Sequence, residues 1–184
     1  MIKRLIPSEV LYFVITTWIV FLANTILISF NLNQFGIRPR QLDGLTGILL
    51  SPFLHTGLYH IISNTISTLV LGCLLDLSVS PTRLRYIMFL GAIGSGIGVW
   101  CFGDGGIVVG SSGMIFAILG FLLASATLNP SLRSWGIALV AFFTYGSALL
   151  SFIHFIPYTS WAAHFWGFIS GVLLCILFRN KRSD

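Results

Sequence analysis

An all-α membrane protein, a six-transmembrane-helix bundle with a partly embedded first outer loop, follows from three features of this 184-residue sequence. Hydrophobic residues make up 56% of it and charged residues 8%, against roughly a quarter charged in soluble domains. Charges and turn residues cut it into six apolar stretches, each near the ~20 residues that cross a bilayer as a helix. These stretches are continuously apolar and lack the alternation of porin strands, so helices are expected and not a barrel. Residues 1–184 read as a single transmembrane domain, without repeats, low-complexity tracts or linkers.

The first stretch, residues 10–30, follows Met1-Ile2-Lys3-Arg4. That positive start would suit a signal peptide, but the apolar run is too long and has no small-x-small cleavage site, so an uncleaved anchor is expected. Residues 31–58 are too many for a tight turn and too apolar for a solvated loop. Within them, LTGILLSPFLHTGLYH is expected to form short helices lying partly in the outer leaflet and packed on the bundle. Further spans are expected at 59–77, 86–102, 112–128, 135–152 and 160–178, joined by short connections.

A net charge of +5 would suit nucleic acid, but its placement excludes that partner. With the N-terminus inside, cytoplasmic segments carry Lys3, Arg4, Arg83, Arg85, Arg133, Arg179, Lys181 and Arg182, and the outer side only Arg38 and Arg40. The asymmetry satisfies the positive-inside rule, so both termini are expected in the cytoplasm and the chain in a cell (inner or plasma) membrane. Cys73, Cys101 and Cys175 form no CxxC pair and read as small core residues.

Polar side chains are costly in a membrane and face the bundle interior, so their depths are informative. Spans two, four and six all run from outside to inside. His60 and Asn64 come early in span two, Ser111 and Ser112 open span four, and His164 lies a turn into span six. At about 1.5 Å per residue these groups share one outer layer. His60 and Asn64, four apart, project from one face. Singly, each such residue reads as an interhelical hydrogen bonder; gathered at one depth they also read as a site.

A serine nucleophile needs a base within reach and donors aimed at the developing oxyanion. His164 fits the base; His60, Asn64 and the backbone N–H groups opening span four fit the donors. The helix N-terminus adds unpaired N–H groups and a positive dipole end. No carboxylate third member is apparent, because Asp76 lies at the opposite end of span two and Asp43 and Asp104 sit in outer loops, so a Ser-His dyad is expected. His55 reads as a structural hydrogen bonder, and a metal site between it and His60 is poor for want of helical spacing and a third ligand. His154, before Pro157, reads as interfacial.

Glycines complete the pattern. Gly110 and Gly113 flank the two serines; Gly113, Ala117, Gly120 and Ala124 make a small-residue stripe, and span six offers Gly167 and Gly171. Such stripes let backbones approach closely, although many membrane helices have them, as Gly91, Gly94 and Gly98 of span three illustrate.

In these residues the chain resembles the rhomboid family of intramembrane serine proteases, over essentially its whole length and in the six-helix core form. "GSSG" at residues 110–113 matches the family's GxSG, which selects Ser112 and not Ser111 as nucleophile. "AHFWGFISG" at 163–171 matches AHxxGxxxG and makes His164 the base; "HTGLYHIISN" at 55–64 matches HxxxxHxxxN, in which His60 and Asn64 bind the oxyanion. "DLSVSPTR" resembles the family's ExxxGxxR with Asp76, Ser80 and Arg83. Two departures stand out: Thr46-Gly47 replaces the Trp-Arg pair of the first loop, and Phe116 stands where some members place a tyrosine against the histidine.

The resemblance implies cleavage of transmembrane protein substrates, in or near their spans, within the lipid bilayer and with no cofactor. Ser111 would chiefly lend its backbone N–H to the oxyanion pocket, and the site would open to the outer side. Substrate would enter laterally past span five. Two rival readings are an inactive rhomboid-like protein that binds membrane clients and a small transporter; the second would favour inverted repeats or a buried midplane carboxylate. The sequence carries no signal of oligomeric state.

Overall fold

The structure, a computed structural model, describes residues 5–26, 30–152 and 160–179. Among them are helices α1 (Ser8–Ile26), α2 (Gly47–Leu50), α3 (Leu58–Ser78), α4 (Pro81–Phe102), α5 (Ser112–Leu128), α6 (Leu132–Tyr145) and α7 (Trp161–Leu177). Every span expected from the sequence is a helix, and the fourth has the expected bounds.

Two helices start three or more residues earlier than hydropathy suggests, because capping and not apolarity decides where a helix begins. Ser80 accepts from the Arg83 N–H and Pro81 opens α4, so Arg83 and Arg85 belong to its first two turns. Ser131 and Ser134 form a reciprocal capping box at the start of α6. Beyond Tyr145 the fifth span tightens into a 3₁₀ helix over Gly146–Phe152. Ser80 occupies the family's glycine position at φ −71°, which any residue adopts, so the serine brings no strain.

α5 is buried on almost every side; α7, α4, α6 and α3 surround it. α1 lies at the edge, with Val10 and Thr17 buried; Trp18 Nε1 donates to Thr65 Oγ1 at 3.0 Å. Large apolar side chains such as Tyr12, Ile19, Leu132 and Phe143 are exposed on the outward faces, as lipid contact requires.

Glycine sets the central distances. A Cβ on Gly167 would sit 2.2 Å from the Gly113 carbonyl oxygen, one on Gly171 1.9 Å from that of Ala117, and one on Gly120 2.3 Å from that of Phe168. α5 and α7 therefore touch backbone to backbone. Gly91, Gly94 and Gly98 of α4, expected only as background, are equally close to Ala117, Ser170 and Trp166.

α5 and α7 have 17 residues each, against 22 in α4. At about 1.5 Å per residue the two central helices are roughly 7 Å shorter than α4. Residues 103–111 connect α4 to the start of α5, exposed at 104–107 and buried again at Ser111. Segment 31–57 pairs with that connection as 3₁₀ turns at Leu32–Phe35, Leu42–Gly44 and Ser51–Phe53 together with α2.

Backbone pairing ties this segment down. Ile37 and Val108 exchange two hydrogen bonds of 2.9 Å, and the Gly110 N–H donates to the Ser51 carbonyl at 2.9 Å. Arg40 Nη1 donates to the Gly103 carbonyl at 2.8 Å, and Trp100 Nε1 to that of Gln41 at 2.9 Å. Gly47 supports the fold by closeness, since a Cβ there would meet the Gly36 backbone at 2.3 Å. These contacts anchor a loop that lacks the Trp-Arg pair.

Candidate active site

A cavity of about 680 Å³ opens among the starts of α3, α5 and α7, and His60, Asn64, Ser112, Phe116 and His164 all line it. Each of these residues reaches it for a local reason: it sits in the first turn or two of a helix that begins at this level. The adjacent serines part company here. Ser112 lines the cavity, whereas Ser111, 2% exposed, faces into the protein. Ser111 caps α5 without a side-chain bond to the backbone, so the first-turn N–H groups receive no serine oxygen.

Gly110 has φ +118°, a left-handed conformation in which a side chain is strained. A Cβ there would also lie 2.6 Å from His60 Nε2 and 3.4 Å from Asn64 Nδ2. Those two nitrogens thus crowd the backbone immediately before Ser112. Thr56 Oγ1 lies 3.3 Å from His60 Nδ1, and Asn64 Nδ2 lies 2.9 Å from His55 Nε2. His55, 2% exposed, braces Asn64 from behind. Burial, reinforced by the nearby His60, lowers its pKa to about 4, so it is neutral at physiological pH.

His164 is held on two sides. The Phe116 ring stacks on it with centroids 4.2 Å apart and 14° between planes, and Ser151 Oγ lies 2.8 Å from Nδ1. Among the described residues no hydrogen bond joins Ser112 to His164, although both line the cavity. Such contacts are often long without substrate. The loop carboxylates are engaged elsewhere: Asp43 pairs with Arg38, and Asp104 accepts from Trp161 Nε1 at 2.6 Å. Asp76 lies sixteen residues along α3 from His60, near the other end of the helix.

Gly113 is one of the closest points in the site. A Cβ there would fall 2.1 Å from Ser95 Oγ, a hydroxyl that bridges α4 to the Ala163 carbonyl at 2.9 Å, next to His164. Gly167 and Gly171 hold α7 against α5 as described above. His154 and Pro157 lie outside the described residues. Among the described residues no three His, Cys, Asp or Glu side chains gather as metal ligands.

Sequence reasoning missed Ser151 and Ser95. Ser151 had a readable signal. The fifth span ends near the level at which the sixth begins, so its last residues reach the layer of His164.

Residues 43–181 match the Rhomboid domain family. An uncharacterized protein of Mycobacterium tuberculosis is 35% identical over 153 residues, covering 77% of this chain and 62% of its own length. RHOMBOID-like protein 1 of Arabidopsis thaliana is 27% identical over 68% of this chain and 32% of its own length. Inactive RHOMBOID-like protein 8 of the same plant is 30% identical over 67% of this chain and 35% of its own length. The chain thus spans about three fifths of the mycobacterial relative and about a third of the plant ones.

Proposed function

The chain belongs to the rhomboid family and is an integral membrane protein; from that premise we propose that it is an intramembrane serine endopeptidase. In this reading it cuts peptide bonds in or near the transmembrane segments of other membrane proteins. The supporting observation is that Ser112, His164, His60 and Asn64 line one cavity while the neighbouring Ser111 does not.

Ser112 Oγ attacks the scissile carbonyl carbon as His164 takes its proton. The carbonyl π pair moves to oxygen, and His60, Asn64 and the N–H groups of Ser111 and Ser112 stabilise the oxyanion that results. The tetrahedral adduct collapses, the C–N bond breaks, and His164 returns the proton to the leaving amine. Water, deprotonated by His164, then attacks the acyl-enzyme, and Ser112 leaves with the proton restored. No cofactor enters this sequence. The cavity opens to the outer side in the orientation given by the positive-inside rule, and the shortness of α5 keeps the nucleophile below the surface while admitting water.

Likeness to a plant protein named inactive favours a second reading, client binding without cleavage. One experiment separates the two. The purified protein is incubated with a transmembrane reporter substrate and compared with Ser112→Ala, Ser111→Ala and His164→Ala. Proteolysis predicts cleavage abolished by Ser112→Ala and His164→Ala and retained by Ser111→Ala. Cleavage that persists in Ser112→Ala removes the nucleophile, and reporter binding without cleavage by the wild type favours the second reading. A serine-directed fluorophosphonate should label Ser112 and fail to label it once His164 is replaced.

A further inference from the structure

We infer that Ser151 is a positioning residue that fixes the tautomer of His164, filling with a neutral hydroxyl the place that a carboxylate holds in a Ser-His-Asp triad. The inference rests on the reading of His164 as general base.

A serine hydroxyl has one proton and two lone pairs. The proton of Ser151 goes to the Ala148 carbonyl, at 2.6 Å. At 2.8 Å from His164 Nδ1 the oxygen is therefore the acceptor and the ring nitrogen the donor. A neutral imidazole carries one N–H, so protonation at Nδ1 leaves Nε2 with a free lone pair. That is the form a base needs. The opposite tautomer would set the lone pair of Nδ1 against that of Ser151.

Burial makes this choice binding. Ser151 is 4% exposed and His164 8%, so bulk water does not substitute for the hydroxyl. Phe116, nearly parallel to the imidazole, holds the ring plane, while Ser151 holds one edge. A ring flip would put Cδ2 in the place of Nδ1 and break the bond to Ser151.

The bond also strengthens during reaction. Once Nε2 takes the Ser112 proton, the imidazolium donates from Nδ1 in a charge-assisted bond, and interactions that tighten toward the transition state are the ones that accelerate it. Ser151 lies on the 3₁₀ turn that continues α6, so the protonation state of a base on α7 depends on the outer end of its neighbour.

The test uses the full chain in detergent micelles, with histidine-selective ¹⁵N labelling; the His164 signals among the four histidines are those lost in His164→Ala. Wild type and Ser151→Thr should show His164 protonated at Nδ1 and bare at Nε2. Ser151→Ala should shift His164 toward the Nε2–H form. In reporter cleavage, kcat should fall about tenfold in Ser151→Ala with KM unchanged, the effect of one lost buried hydrogen bond, and Ser151→Thr should restore it.

Ser151→Cys, of similar volume and a poor acceptor, serves if the alanine variant does not fold, and should show the same shift. His164 that stays Nδ1-protonated without the hydroxyl overturns the inference, as does a wild-type kcat in Ser151→Ala. If the wild type cleaves no reporter, the protease reading fails, while the nitrogen signals still decide the role of Ser151.

Discussion

Replacing Gly167 by alanine adds one methyl group where α5 and α7 touch backbone to backbone. Its Cβ would lie 2.2 Å from the Gly113 carbonyl oxygen and 3.0 Å from the Gly113 carbonyl carbon, whereas ordinary contact begins at 3.4 Å. The obstacle is helix backbone and cannot swing aside, so the two helices must separate by about 1.2 Å. Overpacking of this kind costs about 1–3 kcal/mol. His164 lies three residues back on the same face of α7, so the separation carries it away from Ser112. A misplacement of about 1 Å can lower a rate ~100-fold. The control is Gly136→Ala on α6, where a Cβ meets nothing within 4 Å and the better helix former should stabilise by about 0.5–1 kcal/mol. Thermal midpoints of both variants in detergent and their kcat/KM on a transmembrane reporter complete the comparison. If Gly167→Ala melts with the wild type and cuts at its rate, the tight α5–α7 contact does not set the distance between the two residues.

Gly110→Ala forces an alanine into φ +118° and drives its Cβ against His60 Nε2; about 1–2 kcal/mol of strain is expected, seen as a lower thermal midpoint together with impaired cleavage. Asn64→Ala should lower kcat by ~10²–10³ as an oxyanion donor is lost, and should lower the midpoint as well, because buried His55 Nε2 loses its partner; an unchanged kcat removes Asn64 from the oxyanion pocket. Between pH 6.5 and about 4, unfolded His55 takes up a proton that the folded protein excludes, so this residue's contribution to stability is present above pH 6.5 and is lost as pH falls through that window; midpoints measured across it should fall less in His55→Gln. At the cap of α4, Ser80→Ala should cost about 0.5–2 kcal/mol and Ser80→Gly only a few tenths, measured by the same melts.

What the amino-acid sequence determined by itself is the set of helices and the layer that holds the polar groups. A helix crossing a bilayer must satisfy its own backbone and bury its polar side chains, and both demands write themselves locally, as long apolar runs and as histidine, asparagine and serine at matching depths. The three motifs carried the family in the same local way, and the choice of Ser112 came from them alone. Depth is one coordinate, however, and a site needs three. Which serine faces the cavity depends on the rotation of α5 after the connection at residues 103–111, and that rotation is set by Gly110, by Ser51 and by the packing of Gly113 on α7. The partner of His164 came from the 3₁₀ helix after α6, through a hydroxyl 2.8 Å away that sits in no motif. Contacts between residues on different helices leave no spacing in the chain, so only the packed bundle could decide that Ser151, and neither Asp43 nor Asp104, stands behind the histidine.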